Sequence, residues 1–392
     1  MTLRIAIALH DFSLGGTERI AIRLANQWAA DGAEVVVLAG SERGELRGLL
    51  DETVTLWVAS PAIARRPGSV ARLGRAVRRR LAQAPADVLF VPGNYHWPVA
   101  AAFRSVLRER RPLIVAQVSN ALRKPGRGKL GQFLFEVRTR WRLRDANAIV
   151  TLSEPDKRLA DQLLRRGDVV AIPLPALSAS PIPPVPVDPA CRLILAAGRF
   201  VPQKGFDVLI EAFAIVARQD ERNRLLLVGD GPQRARLERQ IRTLALTKRV
   251  DLPGYVDDLR PCLDRARMFV LPSRFEGYPA VIIEAVAAGR PVISTACTTA
   301  AEELLKMGGA GRVVPIEDAE AMAAAILAQL AAPIPDPGAL ADRVEPFRID
   351  TVARRYEALF RDLVCRERSR IGTGDEHRID GANGSDVRPD AV

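Results

Sequence analysis

The chain has 392 residues, of which 48% are apolar, so it is long enough for two globular domains that each bury a core. No apolar run approaches the ~18 residues of a membrane-spanning helix, and the first residues carry no small-residue cleavage site, so we expect no signal peptide. The four cysteines lack C-x-x-C spacing and the histidines number three, which argues against a zinc knuckle, a disulfide framework or a histidine-rich metal site and fits a reducing cytoplasm.

The net charge of +11 is concentrated in one segment. Residues 61–145 hold nineteen Arg or Lys against four acids, so the rest of the chain is slightly acidic. Such a field attracts the phosphates of nucleic acid, anionic lipid or a phosphorylated substrate. A solvated basic face without any partner accounts for the pattern equally well, and the charge alone leaves these explanations open.

The first half of the chain alternates strand and helix patterns. Continuous runs of Val, Ile and Leu with helical segments between them indicate a parallel sheet covered on both faces. The predicted strands span residues 3–9, 33–40, 87–91, 112–118 and 147–153. They define an N-terminal domain at residues 1–173.

A proline-rich, nearly uncharged segment follows and is interpreted as a linker at residues 174–190. The alternation then restarts and predicts a second domain at 191–345. Its predicted strands span residues 192–198, 224–229, 249–254, 267–272, 291–294 and 311–315. An amphipathic helix is predicted at 346–368, and the polar tail at 369–392 is expected to be disordered. The predicted fold is therefore α/β, with two doubly wound, Rossmann-like domains facing a cleft where ligands bind.

The segment 70–84, VARLGRAVRRRLAQA, predicts a helix with arginines around an apolar face. Val70, Leu73, Val77 and Leu81 share that face. A helix that lies on an anionic membrane and a helix that packs on the core with a solvated basic back fit this pattern equally well. No aromatic residues are interleaved for base stacking, which disfavours nucleic acid as a partner.

The stretch SRFEGYPAVIIEAVAAGRPVIS places two acids, Glu276 and Glu284, around the start of an apolar helix. Pro279 is predicted in the first helical turn, and Gly277 allows backbone to approach a ligand. Free N–H groups at the helix start suit an anion or a hydroxyl-rich ligand. Apolar neighbours flank Glu284, so we expect its carboxylate to be largely shut off from water and to bind hydroxyl donors. An exposed stripe is the alternative for an isolated helix glutamate.

Two cations follow the first predicted strand of the second domain. In GRFVPQKG, Arg199 and Lys204 flank a loop that Gly205 closes at a helix start. An arginine fork and a lysine point charge at a strand end suit a diphosphate. Each cation alone is more often a surface residue, so the prediction depends on their pairing.

Two glycine motifs complete the pattern. LVGDGP is too short for a dinucleotide fingerprint. In HDFSLGGTERIA, Gly15 and Gly16 precede a helix with Thr17 as its expected cap, and the glycine pair allows close approach to phosphate.

Taken in order, these motifs resemble the retaining glycosyltransferases of the GT-B fold, family 4, also called glycosyl transferases group 1. The resemblance runs from GGTER through GRFVPQKG, LVGDGP and LPGYVDD to FEGYPAVIIEA. The last motif contains the E-x7-E of the family as Glu276 and Glu284. The implied activity is transfer of a sugar from a nucleotide-diphosphate sugar to an acceptor hydroxyl with retention of configuration.

The resemblance also implies a role for each motif. Glu284 would bind the donor ribose and Glu276 the hydroxyls of the transferred sugar, while Arg199 and Lys204 would neutralise the leaving diphosphate. The implied donor-binding residues are Gly15, Gly16, Arg199, Lys204, Gly229, Val256, Gly277, Tyr278, Pro279, Ala280 and Glu284. The departing phosphate would act as base on the acceptor, and neither a metal nor another cofactor is expected.

The chain departs from the family at two places. Many relatives carry a histidine after the strand that corresponds to PLIVAQV, where this chain reads VSNALRK. Asn120 or Ser119 would replace it as a hydrogen-bond partner, or His96 would reach in from the neighbouring strand end, although a lone histidine is more often structural. The segment TACTTAAEELL also lacks the Gly-Gly common in relatives, which affects the sugar pocket.

The expected acceptor is a glycan or lipid-linked glycan in the synthesis of a cell-surface polysaccharide or lipopolysaccharide. We expect a cytoplasmic enzyme, with peripheral contact to the anionic inner face of the membrane through its basic N-terminal domain. The alternatives are an epimerase or phosphorylase on the same donor, although nothing marks a pyridoxal pocket, and a basic binding protein without transferase activity.

Overall fold

A computed structural model describes residues 2–123, 128–306 and 309–379, with the side chains of residue 109 and residues 371–379 left out. By its contacts the chain divides into two compact units. Unit 1 comprises Met1–Gln117, Val137–Ile149 and Ala353–Val392, and unit 2 comprises Val118–Glu136 and Val150–Val352. The domain boundaries predicted from sequence, at residues 173 and 191, follow the linker rather than these contacts and remain predictions.

The first half of the chain builds a seven-stranded sheet in the order β3-β2-β1-β4-β5-β6-β7. The strands are β1 (Arg4–Leu9), β2 (Glu34–Ala39), β3 (Thr55–Val58), β4 (Val88–Val91), β5 (Leu113–Gln117), β6 (Ala148–Thr151) and β7 (Val169–Ala171). The central strand β1 pairs in parallel on both sides, so that Ile7 lies beside Val37 of β2 and Phe90 of β4. The strand order reverses between β1 and β4, which is the position where open α/β sheets bind ligands.

Five helices accompany this sheet among the described residues. They are α1 (Gly16–Ala30), α2 (Ser69–Gln83), α3 (Trp97–Ala101), α4 (Lys129–Leu143) and α5 (Glu154–Leu164). Ser153 caps α5, because its hydroxyl accepts a hydrogen bond from the Asp156 backbone N–H at 3.2 Å.

The second half builds a six-stranded sheet in the order β10-β9-β8-β11-β12-β13. Its strands are β8 (Leu193–Ala197), β9 (Arg224–Val228), β10 (Val250–Gly254), β11 (Met268–Leu271), β12 (Val292–Thr295) and β13 (Gly311–Val314). The helices are α6 (Phe206–Gln219), α7 (Arg234–Thr243), α8 (Arg260–Arg265), α9 (Ala280–Ala287), α10 (Thr299–Lys306), α11 (Ala319–Ala331), α12 (Pro337–Ala341) and α13 (Ile349–Ile379). Here the order reverses between β8 and β11. The predicted fold of two doubly wound parallel sheets is confirmed.

The core of unit 2 covers both faces of this sheet. Along β8, Ile194 and Ala196 enter one buried cluster, whereas Leu195 enters the other. Because both faces of the sheet are buried, successive residues of a strand are all apolar, and the sequence shows continuous apolar runs instead of apolar and polar residues in alternation. The linker is tied to the same unit by the fully buried Arg290, whose guanidinium donates to the carbonyls of Val185 and Leu263, each at 2.7 Å.

Helix α2 settles the two explanations of the basic segment 70–84. All four residues of its apolar face are buried within unit 1. Gly74 allows the close packing, because a Cβ there would lie 2.8 Å from the Cβ of Ala102. The core-packed helix is therefore confirmed, and the membrane interpretation of this helix is wrong: its apolar face is already covered by protein.

The last helix, α13, contributes aromatic residues to the core of unit 1. Tyr356 and Phe360 pack edge-on against Trp28, with ring centroids 5.8 and 5.3 Å away, and Phe90 closes the cluster. The helix continues to Ile379, beyond the end predicted at 368. The rest of the predicted tail, residues 380–392, lies outside the described residues. Among the described helices, none is both long enough and apolar enough to cross a bilayer.

Candidate active site

The switch point of the second sheet gathers four of the side chains that carry chemistry. Arg199 and Lys204 follow the carboxyl end of β8, and Ser273 and Glu276 follow the carboxyl end of β11. Because β8 and β11 are parallel neighbours, their carboxyl ends meet at one edge of the sheet. The structure therefore brings these two loops together at one edge of the sheet.

A glycine fixes how closely the two loops approach. Gly205 ends the short 3-10 helix Pro202–Lys204 with φ 65°, a left-handed conformation that favours glycine. A Cβ at this position would lie 2.1 Å from the carbonyl oxygen of Pro272, at the end of β11. No larger residue fits, so Gly205 is what allows Lys204 to stand beside the β11 loop.

Lys204 and Glu276 form an ion pair at this edge. The Lys204 Nζ lies 2.6 Å from Glu276 Oε1, and the hydroxyl of the buried Ser273 donates to the same oxygen at 2.6 Å. Glu276 is itself buried, and a buried carboxylate needs hydrogen-bond donors. Lys204 and Ser273 supply two such donors to its Oε1. The geometry holds the carboxylate in a fixed orientation.

Arg199 differs from Lys204 in being exposed. Among the described residues, no carboxylate forms an ion pair with its guanidinium. The cluster thus combines the Lys204–Glu276 ion pair with the exposed cation Arg199. That arrangement leaves local positive charge for a bound anion.

Helix α9 begins one residue later than the sequence predicted. Pro279 occupies the N-cap position, and Ala280 is the first helical residue. Glu284 is the fifth residue of the helix and is half-buried, whereas Ile282 and Ile283 are fully buried. The residue lies on the less buried face of α9, and the expectation that its carboxylate is largely shut off from water stays a prediction.

Gly277 meets the segment that replaces the histidine of relatives. A Cβ on Gly277 would lie 2.8 Å from Asn120 Oδ1 and 3.2 Å from the Ser119 carbonyl oxygen, so a side chain here would displace that segment. Asn120 is exposed beside it. The neighbouring Tyr278 has a raised pKa because of burial, with smaller contributions from the acids Glu303 and Asp156.

The glycine after β9 brings strand ends together. Gly229 has φ 140°, and its N–H donates to the Gly254 carbonyl at the end of β10 at 2.8 Å. A Cβ on Gly229 would lie 2.0 Å from the Gly198 carbonyl oxygen at the end of β8. Val256 follows β10 and is half-buried against the core. Bare backbone thus lines this part of the edge.

In unit 1 the glycine pair lies at the start of α1. The helix begins at Gly16, with Gly15 as its N-cap. Thr17 is therefore inside the helix, and the prediction that Thr17 caps it is wrong. A Cβ on Gly16 would meet nothing within 4 Å. The space above Gly16 is open within the described structure.

His96 is fully buried after β4, and main-chain groups occupy both its ring nitrogens. Its Nδ1 lies 2.8 Å from the Pro92 carbonyl oxygen, and its Nε2 accepts the His10 backbone N–H at 3.1 Å. Burial lowers the pKa of His96 to about 4, so the ring is neutral at pH 7. This geometry favours a structural role for His96; its catalytic role stays a prediction.

The sequence missed a second charged cluster, which lies beside His10. The Arg65 guanidinium forms ion pairs with Asp11, at 2.5 and 2.8 Å, and with Glu18 Oε1 at 2.6 Å. Burial alone would raise the pKa of Asp11, but hydrogen bonds from Arg65 and Ser13 outweigh it and hold that pKa far below its usual range. Nothing local marks Arg65 in its arginine-rich segment, because its partners lie 47 and 54 positions away.

Fold and site together define an α/β protein whose second sheet offers cations and a fixed carboxylate at its ligand-binding edge. Two family models match the chain, Glycosyl transferase 4-like domain at residues 15–175 and Glycosyl transferases group 1 at residues 191–332. Each corresponds to one of the two sheets. Together the two matches support a GT-B glycosyltransferase.

Individual relatives are similar to the chain over part of their length. The chain is 32% identical over 233 residues to Exopolysaccharide phosphotransferase SCO2592 of Streptomyces coelicolor, which is 56% of this chain and 24% of that protein. It is 35% identical over 169 residues to Lipopolysaccharide core biosynthesis glycosyltransferase LpsE of Rhizobium meliloti, 43% of this chain and 46% of LpsE. The chain thus spans less than half the length of these two relatives.

Solved structures with low identity share the fold. Sucrose-phosphate synthase (tll1590) from Thermosynechococcus elongatus matches with a TM-score of 0.74 and 21% identity, over 93% of this chain and 99% of that one. Anabaena Alr3699/HepE in complex with UDP and glucose matches with a TM-score of 0.69 and 18% identity, over 91% and 99%. These matches support the GT-B fold over nearly the whole chain.

Proposed function

We propose that this protein is a retaining glycosyltransferase of family 4. It transfers a sugar from a nucleotide-diphosphate sugar to a hydroxyl of a glycan or lipid-linked glycan, in the synthesis of a cell-surface polysaccharide or lipopolysaccharide. The observation that carries the proposal is the cluster at the switch point of the second sheet, where the Lys204–Glu276 pair forms and the exposed cation Arg199 lies in the same loop after β8.

The cluster suits a ligand that is both phosphorylated and hydroxylated. Arg199 and Lys204 supply positive charge where the diphosphate leaves, and such charge stabilises the transition state when it is already in place. Glu276 keeps a second oxygen for sugar hydroxyls, and the half-buried Glu284 binds the ribose. The bare backbone at Gly229 and Gly277, with Gly15, Gly16, Val256, Tyr278, Pro279 and Ala280, completes the proposed donor site.

The proposed reaction needs no protein base. The bond between the sugar C1 and the diphosphate oxygen breaks, and a bond from the acceptor oxygen to C1 forms on the same face. The acceptor proton passes to the departing diphosphate. Because the two cations stabilise that leaving group, we propose that the reaction needs neither a bound metal nor another cofactor, and that Asn120 assists as a hydrogen-bond partner near the reacting carbon.

The names of relatives suggest the setting. LpsE is named for lipopolysaccharide core biosynthesis, and SCO2592 is an exopolysaccharide phosphotransferase by name. We propose the same class of acceptor here and a cytoplasmic protein with peripheral contact to the inner face of the membrane. The basic segment 61–145 supports contact with an anionic surface.

The first experiment measures thermal unfolding against UDP-, GDP-, ADP- and TDP-sugars, starting with UDP-glucose because HepE is solved with UDP and glucose. A donor at a hundred times its dissociation constant adds about 2.7 kcal/mol of stability, which raises Tm by several degrees. We expect the shift with one nucleotide class, lost in Arg199→Ala and Glu284→Ala. Arg312→Ala, an exposed arginine of β13, is the matched control.

A folded protein that shifts with none of these donors contradicts the proposal. Where a donor binds, the product is analysed by NMR for its anomeric configuration. An α-donor that gives an α-linked product supports retention, and a β-linked product overturns it. Release of a free epimerised sugar nucleotide would identify an epimerase instead.

A further inference from the structure

Helix α4 leaves an apolar stripe uncovered. Leu130, Phe133, Leu134, Val137 and Trp141 recur at helical spacing, and between 44% and 72% of each residue is exposed. Only Thr139 and Leu143 of its fifteen residues are buried. Such a run of large apolar side chains on a surface marks an interaction site rather than scattered exposure.

Cations flank the stripe on both sides. At 100° per residue, Arg138 and Arg142 fall on one border of the stripe and Lys129 and Arg140 on the other, and Arg144 follows the end of the helix. Residues 129–144 contain these five cations and one acid, Glu136, whose carboxylate accepts a hydrogen bond from Gln132 at 2.9 Å. The helix thus combines an apolar face with positive borders.

Trp141 is held in place on this face. The guanidinium of Arg104 lies 4.2 Å from the centroid of its ring and also donates to the Trp141 carbonyl oxygen. Arg104 is in turn paired with Asp145 at 2.8 Å. An ordered indole at the edge of an apolar stripe is typical of side chains that settle at a membrane interface.

We propose that α4 docks this protein on an anionic lipid surface, with the stripe entering the boundary between headgroups and acyl chains. The charge distribution selects this occupant. A second copy of the chain would bring two cationic helices face to face, whereas an anionic bilayer neutralises the borders and buries the stripe at once. The inference rests on the proposed function in one respect, because a lipid-linked acceptor lies at such a surface, and it assigns the contact to α4 rather than to α2.

The test is cosedimentation of the full chain with vesicles of phosphatidylcholine, with or without phosphatidylglycerol at about 30%, at about 50 mM and about 500 mM salt. We expect binding to the anionic vesicles at low salt and weaker binding at high salt. Phe133→Ser with Leu134→Ser should lower the partition coefficient at least about tenfold. Leu107→Ser, a comparably exposed leucine outside α4, should leave it unchanged.

Charge and fluorescence give independent readouts. Arg138→Gln should weaken binding to anionic vesicles and make that binding less dependent on salt. Arg312 is an exposed arginine of unit 2, and Arg312→Gln should change neither. Trp28 and Trp97 are buried and Trp57 is half-buried in β3, so the variant Trp141→Phe makes the assignment. A blue shift of tryptophan emission on anionic vesicles should vanish in Trp141→Phe, which still sediments.

Two outcomes overturn the proposal: a folded wild-type chain that stays off anionic vesicles at low salt, or a double variant that binds as well as wild type. Self-association that the double variant abolishes would instead identify a second copy as the occupant. Donor binding is measured on the same samples. A wild-type chain that binds the donor but not the vesicles refutes this inference alone. A wild-type chain that binds the vesicles but no donor refutes the proposed function alone.

Discussion

Both sheets carry charged side chains at the same topological position, the point where strand order reverses. In unit 1 this cluster is closed on itself. Arg65 uses its guanidinium on two acids, Asp11 and Glu18, and main-chain groups occupy both ring nitrogens of His96. Every charge there has an internal partner.

In unit 2 the corresponding cluster is left partly open. Lys204 forms an ion pair with Glu276, whereas Arg199 is exposed and pairs with no acid among the described residues. Equal topology therefore does not give equal chemistry. A cluster that satisfies its own charges stabilises the fold, and a cluster that keeps one cation available can bind an anion.

The largest expected effect concerns the open cluster. Glu276→Gln keeps the shape of the side chain and removes its charge, which frees Lys204 and weakens the grip on the sugar hydroxyls. We expect sugar transfer to fall by about 10²-fold or more when it is measured well below Tm, because transition-state contacts are lost. Because Lys204 then lacks its partner, we expect Tm to fall as well. Initial rates with the identified donor measure it, with Arg312→Gln as control. Full activity in Glu276→Gln would remove the functional distinction between the clusters.

The next effect concerns the closed cluster and is a pH dependence. Burial lowers the pKa of folded His96 to about 4, below the value of about 6.5 in an unfolded chain. As pH falls from about 6.5 to about 4, the unfolded chain binds a proton that the folded chain does not, so roughly 3 kcal/mol of stability is lost over that window. Urea unfolding at about pH 7.5 and about pH 5 measures about 2 kcal/mol of this loss, because pH 5 lies about 1.5 units below the pKa of the unfolded chain.

His96→Asn is the matched variant for this test, because an amide can still donate to the Pro92 carbonyl but does not titrate. It should be less stable than wild type at neutral pH and lose less stability on acidification. The buried His10, whose pKa burial also lowers, keeps part of the dependence. An equal pH-dependent loss in both proteins would refute the assignment to His96.

Arg65→Ala should have a somewhat smaller effect. The variant leaves the buried carboxylates of Asp11 and Glu18 without their cation. Because the Arg65 side chain is itself 40% exposed, we expect the free energy of unfolding to fall by about 2–3 kcal/mol, at or below the lower end of the range for breaking a buried pair. Arg66→Ala, the exposed neighbour, should cost no more than about 0.5 kcal/mol. Chemical denaturation measures both. Equal effects would mean that the network adds nothing to the fold.

The same contrast shows what the sequence could predict. The parallel sheets follow from apolar runs of strand length, and Lys204 and Glu276 lie in motifs that resemble a known family. Arg65 lies in no such motif, and its acids are distant in sequence, so only the fold brings them together.

Helices α2 and α4 make the same point for surfaces. Both are cationic and amphipathic, and the pattern of α2 fitted a membrane and a core equally well. Burial decides between these roles: six residues of α2 are buried but two of α4. Periodicity tells which side chains share a face, and the tertiary partner tells whether that face is covered.

The smallest expected effect is the response to a chelator, which tests whether the open cluster supplies its own positive charge. Arg199 and Lys204 already place cations where a diphosphate would leave, so a metal would add little to leaving-group stabilisation. We expect EDTA to change the transfer rate by less than about twofold, measured by direct detection of product so that no metal-dependent coupling enzyme intervenes. Arg199→Ala should behave differently, because an added divalent cation could partly replace the missing guanidinium. A wild-type rate that collapses with EDTA and returns with magnesium or manganese would show that Arg199 and Lys204 do not suffice to stabilise the leaving diphosphate. Their role would then be to bind the donor rather than to assist the chemical step.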